Sequence, residues 1–232
     1  RGQKAGDAVI GGNYAGFVED RYPLEGFYVR TPKFMRLAHR LARLVQDTLE
    51  QHGYEPVLFP TLIPEHVVSA EVDHIAGFEP AVYWVTETGR GNRLPEKLAL
   101  AISSETIFSL LYRAWLDDGA ELPLRCYQQR SVFRAEQASV EPLLREREFL
   151  WFEAHTAFAS EDAAYGQIEI DAGIALDLAD RLGLPITRAE RDEADKCPGV
   201  VRTWGFDVPT ADGRLNQIAS THLLGQRFAR AR

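Results

Sequence analysis

The sequence is poor in sulfur-containing residues, with two cysteines and one methionine among 232 residues. A small secreted domain held by disulfides carries more cysteines, and Cys126 and Cys197 also lack the paired spacing of a zinc site. The scarcity of thiols therefore argues against a disulfide scaffold and fits a reducing compartment. We predict a cytoplasmic protein.

Long apolar runs, internal repeats and low-complexity segments are missing as well. No run approaches the roughly 18 to 20 apolar residues that a membrane-spanning helix needs, so no membrane association is predicted. Basic residues are outnumbered, since 26 lysines and arginines stand against 34 aspartates and glutamates, for a net charge of −8. Such a chain repels polyanions at long range unless its basic groups gather locally, which counts against nucleic acid as an obligate partner.

The chain also lacks the glycine-rich motifs that usually cradle phosphates. It contains neither the GxGxxG fingerprint of a parallel dinucleotide-binding sheet nor a Walker loop. A nucleotide bound by this protein would therefore have to be held by arginines and by side chains on a sheet.

What the sequence does contain is a succession of long helices and short strands. Apolar residues at helical spacing, each series opened by Thr or Ser, predict helices over 31–53, 103–117 and 160–182. Strands are predicted at 54–60, 124–136, 148–159, 185–190, 200–208 and 214–222, with a hairpin within 83–92. The pattern predicts one α+β domain in which helices pack on a mostly antiparallel sheet.

Two arginines flank the connection between the central pair of predicted strands. Arg134 lies at the end of one predicted strand and Arg145 lies across the loop at the start of the next, so antiparallel pairing can bring both to one surface. Two guanidinium groups there can clamp a triphosphate and neutralise charge on its α-phosphate, while Phe149 offers a flat face to a base. The alternative is that both arginines are solvated and pair with neighbouring carboxylates.

Blocks of sequence around these residues resemble a known family. FRAE at 133–136, followed by REREF at 145–149, looks like motif 2 of class II aminoacyl-tRNA synthetases, and the first helix with Pro60 looks like their motif 1. The subfamily that the chain resembles is the archaeal and eukaryotic type of prolyl-tRNA synthetase, through SSET at 103–106, EFLWFEAHTA at 148–157, DKCPG at 195–199 and THLLGQ at 221–226.

The resemblance implies a fold and a chemistry. Residues 1–232 would form a single class II synthetase-like catalytic domain, an antiparallel β-sheet flanked by helices, and would form a homodimer through the motif 1 helix. The protein would be a ligase that activates an amino acid, proline or a related small one, as its adenylate, with ATP and Mg as cofactors. No metal ligand is assigned. A carboxylate is already a nucleophile at neutral pH, so catalysis would consist of alignment and charge stabilisation.

Roles at the nucleotide are implied for the positions that match the family's motifs. Arg134 would contact the α-phosphate and the amino acid's carboxylate, and Arg145 would contact the outer phosphates. Glu136 and Phe149 would serve the adenine. Gln217 would contact the nucleotide.

Roles at the amino acid are implied in the same way. Ser103, where the family has threonine, and Glu105 would bind the imino nitrogen, with Arg134 on the carboxylate. The side-chain pocket would be lined or supported by Trp151, Glu153, His155, Cys197 and His222. Taken singly, each has an ordinary alternative, such as a core tryptophan or a structural histidine; the joint pattern singles them out.

Three segments of the chain depart from the family pattern. Ala101-Ile102 stands where the family has Arg-Pro, which removes a charge near the amino-acid site. Residues 137–142 of the motif 2 loop carry no cation, so a loop expected to meet the tRNA acceptor end lacks its main source of affinity. Cys197 replaces an aromatic residue, which would enlarge the pocket.

These departures leave the acceptor of the activated amino acid open. Neither motif 3 nor an anticodon-binding domain is found in these 232 residues, and we expect the full protein to contain residues beyond them. The leading hypothesis is transfer to a carrier protein's thiol or a small amine. One alternative is a fragment of a genuine prolyl-tRNA synthetase that charges tRNA, and another is an inactive paralogue with a sensing or regulatory role.

Overall fold

The computed structural model describes residues 14, 16–19, 21–69, 81–136, 139–196, 199–210 and 213–226. Its helices are α1 (Pro32–Gln51), α2 (Glu65–Ser69), α3 (Glu105–Asp117) and α4 (Glu161–Arg181). Its strands are β1 (Val18–Glu19), β2 (Val29–Arg30), β3 (Glu55–Pro56), β4 (Leu62–Pro64), β5 (Trp84–Thr88), β6 (Asn92–Leu100), β7 (Leu124–Phe133), β8 (Glu148–Ala157), β9 (Thr187–Glu190), β10 (Arg202–Pro209) and β11 (Leu215–Leu223). The three long predicted helices and the predicted α+β class are confirmed.

The first long helix begins and ends where the sequence indicates. Thr31 caps α1 by accepting a hydrogen bond on Oγ1 from the backbone N–H of Phe34 at 3.3 Å, and Pro32 occupies the first turn, where no N–H is needed. Gly53 follows the helix with φ of 79°, a conformation that only glycine adopts at little cost.

The strand predicted over 54–60 is much shorter in the structure. Only Glu55 and Pro56 form a ladder, and they pair in parallel with Cys126 and Tyr127 of β7. Proline has no N–H to donate, so Pro56 and Pro60 cannot sustain a regular ladder through this segment.

Within the described ranges, the strands form four small sheets instead of the single sheet that was expected. Their orders are β1-β2, β4-β6-β5, β3-β7-β8 and β9-β10-β11, and all pairs except β3 with β7 are antiparallel. The predicted hairpin within 83–92 is formed by β5 and β6 around the turn Gly89–Gly91. Among the described strands, β8 and β11 each lie at the edge of their sheet.

The longest ladder joins β7 to β8. It runs from Leu124 opposite Ala157 to Phe133 opposite Glu148, as predicted for an antiparallel pair with a long connection. α3 packs against its distal end, where Phe108 is 1% exposed and contacts Phe59, Tyr112 and His155. In the part of the chain that the structure describes, no helix combines the length and apolarity that crossing a bilayer requires.

Replacing Phe108 by alanine should destabilise the domain by about 3–5 kcal/mol, because the change leaves a cavity under three aromatic neighbours. Leu110→Ala on the same helix is the matched control, since Leu110 is 48% exposed and should cost less than about 1 kcal/mol. Urea unfolding followed by circular dichroism measures both. Equal losses in the two variants would show that Phe108 does not anchor α3.

Candidate active site

Residues directly opposite each other on an antiparallel ladder project from the same face of the sheet. The register places Val132 opposite Phe149, Arg130 opposite Trp151, and Gln128 opposite Glu153. Phe149, Trp151 and Glu153 alternate along β8 and therefore share this face. We call it the site face.

Arg134 extends over the site face just beyond the end of β7. Its Cζ lies 5.4 Å from the ring centroid of Phe149 and 5.3 Å from that of Trp151, and the two rings meet edge to face at 5.6 Å. The backbone N–H of Arg134 donates to the carbonyl of Arg147 at 2.9 Å. Cation–π contact and the backbone bond thus hold this guanidinium above an aromatic floor.

Arg145 reaches the same end of the hairpin but pairs with a carboxylate. Its Nη1 lies 3.6 Å from Oε2 of Glu136, and its side chain is 57% exposed. Without a ligand, the alternative of a solvated, paired arginine therefore describes Arg145. An exposed pair of this kind contributes only about 0–1 kcal/mol, so a polyphosphate could displace Glu136.

The connection between β7 and β8 is anchored by an ion pair that the sequence motifs did not indicate. Arg30 donates from Nη1 to Oε1 of Glu146 at 2.8 Å, and its Nη2 contacts the other carboxylate oxygen. Glu146 is 5% exposed and also accepts from the backbone N–H of Leu143 at 2.7 Å. Because the partners are 116 residues apart, no local pattern reveals them.

A buried chain of polar side chains occupies the other end of the site face. Gln128 donates to Oγ of Ser104 at 2.5 Å, and Ser104 donates to Oε1 of Glu153 at 3.2 Å. Oε2 of Glu153 lies 3.4 Å from Nε2 of His155, whose ring stacks on Phe108 at 4.2 Å. Ser104 precedes α3 but makes no side-chain cap, because its hydroxyl is used here.

Ser103 and Glu105 lie beside this chain, at the start of α3. Burial favours the neutral carboxyl of Glu105, but the positive charge of His155 and a hydrogen bond with Ser103 outweigh it, so the pKa of Glu105 lies below its ordinary value. Glu105 is therefore ionised at neutral pH.

His222 enters the same neighbourhood from β11. Its Nδ1 lies 2.8 Å from Oγ1 of Thr203 and its Nε2 lies 2.9 Å from Oγ of Ser220. Desolvation by surrounding protein lowers the pKa of His222, Glu105 opposes that shift, and His155 adds to it. His222 is accordingly neutral at pH 7 and couples electrostatically to two predicted site residues.

Gln217 lies on β11 and is engaged by a side chain that was not predicted. Its Oε1 accepts from Nε and Nη2 of Arg191 at 3.3 and 3.0 Å, and Arg191 also binds Asp207 at 2.6 Å. A Cβ at Gly205 would clash with the Arg191 guanidinium. A glycine inside a strand is the sequence signal that could have indicated this close approach. Cys197 lies outside the described residues.

The donor set fits a nucleotide better than a protein-held metal. Among the described residues, no group of three His, Cys, Asp or Glu side chains is placed to hold a metal ion. Arginines next to an aromatic surface instead suit phosphates and a base.

The coupling around His222 can be tested without substrate. Glu105→Gln should lower the pKa of His222 further, since the negative charge that favours the imidazolium is removed, whereas His155→Gln should raise it by removing a competing positive charge. Proton NMR titration of the imidazole Cε1–H signals measures both, with the exposed His39 as an internal control. Shifts in the same direction would contradict the arrangement.

Comparison with known proteins matches this geometry to one family. Residues 83–231 match the tRNA synthetase class II core domain (G, H, P, S and T). The proline–tRNA ligases of Thermofilum pendens and Methanopyrus kandleri are 44% and 43% identical over 218 and 217 residues, covering 94% and 93% of this chain.

A solved structure supports the same relationship. Giardia lamblia prolyl-tRNA synthetase in complex with prolyl-adenylate superposes with a TM-score of 0.88 at 34% identity, covering 94% of this chain and 43% of that one. The chain spans only 45% and 44% of the two ligases. Its ladder, its motif blocks and these matches together show that the chain belongs to the class II aminoacyl-tRNA synthetase core family.

Proposed function

We propose that this chain is the amino-acid-activating core of a longer proline–tRNA ligase. It would join proline to the α-phosphate of ATP, release pyrophosphate, and pass the prolyl group to tRNA. The observation that carries the proposal is the arrangement around the site face: Arg134 lies over two aromatic rings at one end, and ionised Glu105, at the start of α3, lies near two histidines at the other.

The arginine end suits the nucleotide. Arg134 is poised to receive the α-phosphate and the amino acid's carboxylate, and Arg145 would leave Glu136 for the outer phosphates. Phe149 would give the adenine a flat surface, with Glu136 at its edge. Magnesium bound to the triphosphate would supply further charge neutralisation.

The carboxylate end suits the imino acid. Ionised Glu105, assisted by Ser103, would hold the cationic imino nitrogen, and Trp151 would line the ring pocket. A neutral His222 adds no repulsive charge there.

Aligned in this way, the proline carboxylate attacks the α-phosphorus and pyrophosphate leaves without a proton transfer. Gln217 would contact the nucleotide. Glu153, His155 and Cys197 would support the pocket.

The relatives favour tRNA over the acceptors that the sequence first suggested. A carrier-protein thiol or a small amine finds no support among them, since both ligases described above are named for tRNA. The cation-free segment 137–142 is followed by Arg145, whose backbone bridges to Glu141, so one guanidinium does stand at this loop. Net charge is a global quantity and does not exclude a local basic contact.

Three further expectations stay predictions: a single catalytic domain over 1–232, a homodimer through α1, and a cytoplasmic location. The inactive paralogue remains the competing function. It is disfavoured because Arg134 and the pocket carboxylates are in place.

Amino-acid-dependent exchange of labelled pyrophosphate into ATP tests the activation step. With protein expressed from its complete gene, proline should support exchange, and Arg134→Ala should reduce it roughly 100-fold or more, since it removes a preorganised charge at the α-phosphate. Arg113→Ala is the control, because Arg113 is exposed on α3 and pairs only with Asp117 in the described structure.

Each failure has a distinct meaning. No exchange with any amino acid in the unaltered protein would support the inactive paralogue. Exchange that survives Arg134→Ala would show that the motif 2 assignment is wrong.

The acceptor can be identified by following labelled proline. We expect transfer to the 3′ end of tRNA specific for proline, and only background labelling of phosphopantetheinylated carrier proteins or small amines. Acid-stable label on tRNA, abolished by prior periodate oxidation of its terminal ribose, is the readout. Labelling of a carrier protein without tRNA would overturn the tRNA assignment.

A further inference from the structure

A buried arginine lies on the site face at a position that the family blocks did not indicate. Arg130 on β7 is 7% exposed and stands opposite Trp151 in the ladder. Its Nη2 donates to the carbonyl of Pro60 and its Nε to the carbonyl of Ser131, both at 3.3 Å. Its Nη1 is buried and has no acceptor among the described residues.

This placement is unfavourable for stability. Desolvation lowers the pKa of Arg130 from its ordinary value, and the negative charge of Glu153 is what opposes that shift. A buried cation and a buried donor without an acceptor both destabilise a fold. An apolar side chain of similar length would avoid both costs, so stability does not explain the residue.

Its electrostatic partner is the central carboxylate of the pocket. Glu153 is 8% exposed, accepts from Ser104, and lies 3.4 Å from the His155 ring. The positive charge of Arg130 interacts with the Glu153 carboxylate. The hydrogen bond from Arg130 to the Pro60 carbonyl ties the Pro60 turn to β7.

The backbone beside Arg130 is held by the fully buried Ala101. Ala101 is 0% exposed; its N–H donates to Thr61 at 3.0 Å and its carbonyl accepts from Phe133 at 2.8 Å. Position 101 is thus held between segments adjacent to Pro60 and Ser131, the two residues whose carbonyls Arg130 contacts.

We propose that Arg130 is a positioning residue of the amino-acid pocket, which places a positive charge on the site face next to Glu153 and fixes the Pro60 turn for substrate binding. This inference rests on the proposed proline activation.

The test is steady-state pyrophosphate exchange with protein from the complete gene. Arg130→Met should raise KM for proline at least tenfold while KM for ATP changes less than twofold, because Arg134 and Phe149 are untouched. Arg130→Lys keeps the charge, so its rise in KM for proline should be at most half as large as that of Arg130→Met on a logarithmic scale. Arg113→Met is the matched control and should match the unaltered protein.

The outcomes separate this inference from the proposed function. If the unaltered protein shows no proline-dependent exchange, both fail. If it is active and KM for proline in Arg130→Met stays within twofold, or if both KM values rise together, the positioning role is overturned. Should Arg130→Met fail to fold, Arg130→Lys decides, with a threefold to tenfold rise confined to proline expected and an unchanged KM contradicting the role.

Discussion

The antiparallel ladder between β7 and β8 is the constraint from which the rest of the site follows. Ten residues of β7 pair with ten of β8 in one register, so alternate side chains of both strands are fixed on a common face. A shift of one residue would move Trp151 and Glu153 to the opposite face. The ladder therefore places residues of one sequence motif on a single face, with an arginine at one end and carboxylates at the other.

The carboxylate end is maintained at an energetic cost. Glu153, Glu105 and Arg130 are charged groups in a largely desolvated pocket, and each is stabilised by neighbours rather than by water. Nearby packing offsets this loss of stability, because Phe108 stacks on His155 and holds α3 against the sheet. Such an arrangement suits a ligand that itself brings both a cation and an anion, as a free amino acid does.

Different parts of this protein were predictable to different degrees. The helices were predictable from the sequence, because the caps at Thr31 and Ser160 and the apolar spacing are local properties of the chain. The strand over 54–60 was predicted too long, because the prediction gave more weight to its apolar residues than to Pro56 and Pro60, which cannot donate ladder hydrogen bonds. The division into four sheets was missed, since pairing on one side or both depends on segments far apart in sequence.

The sequence by itself determined the family and the identity of the candidate residues, because their types and order are written in contiguous blocks. Only the tertiary structure decided what each touches: Ser104 contacts Glu153 instead of capping α3, Arg145 pairs with Glu136, and Arg30 reaches Glu146 across 116 residues. It also revealed Arg130, which belongs to no motif. The physical reason is that hydrogen bonds, burial and charge coupling depend on distances in space, and a register set by the whole fold fixes those distances.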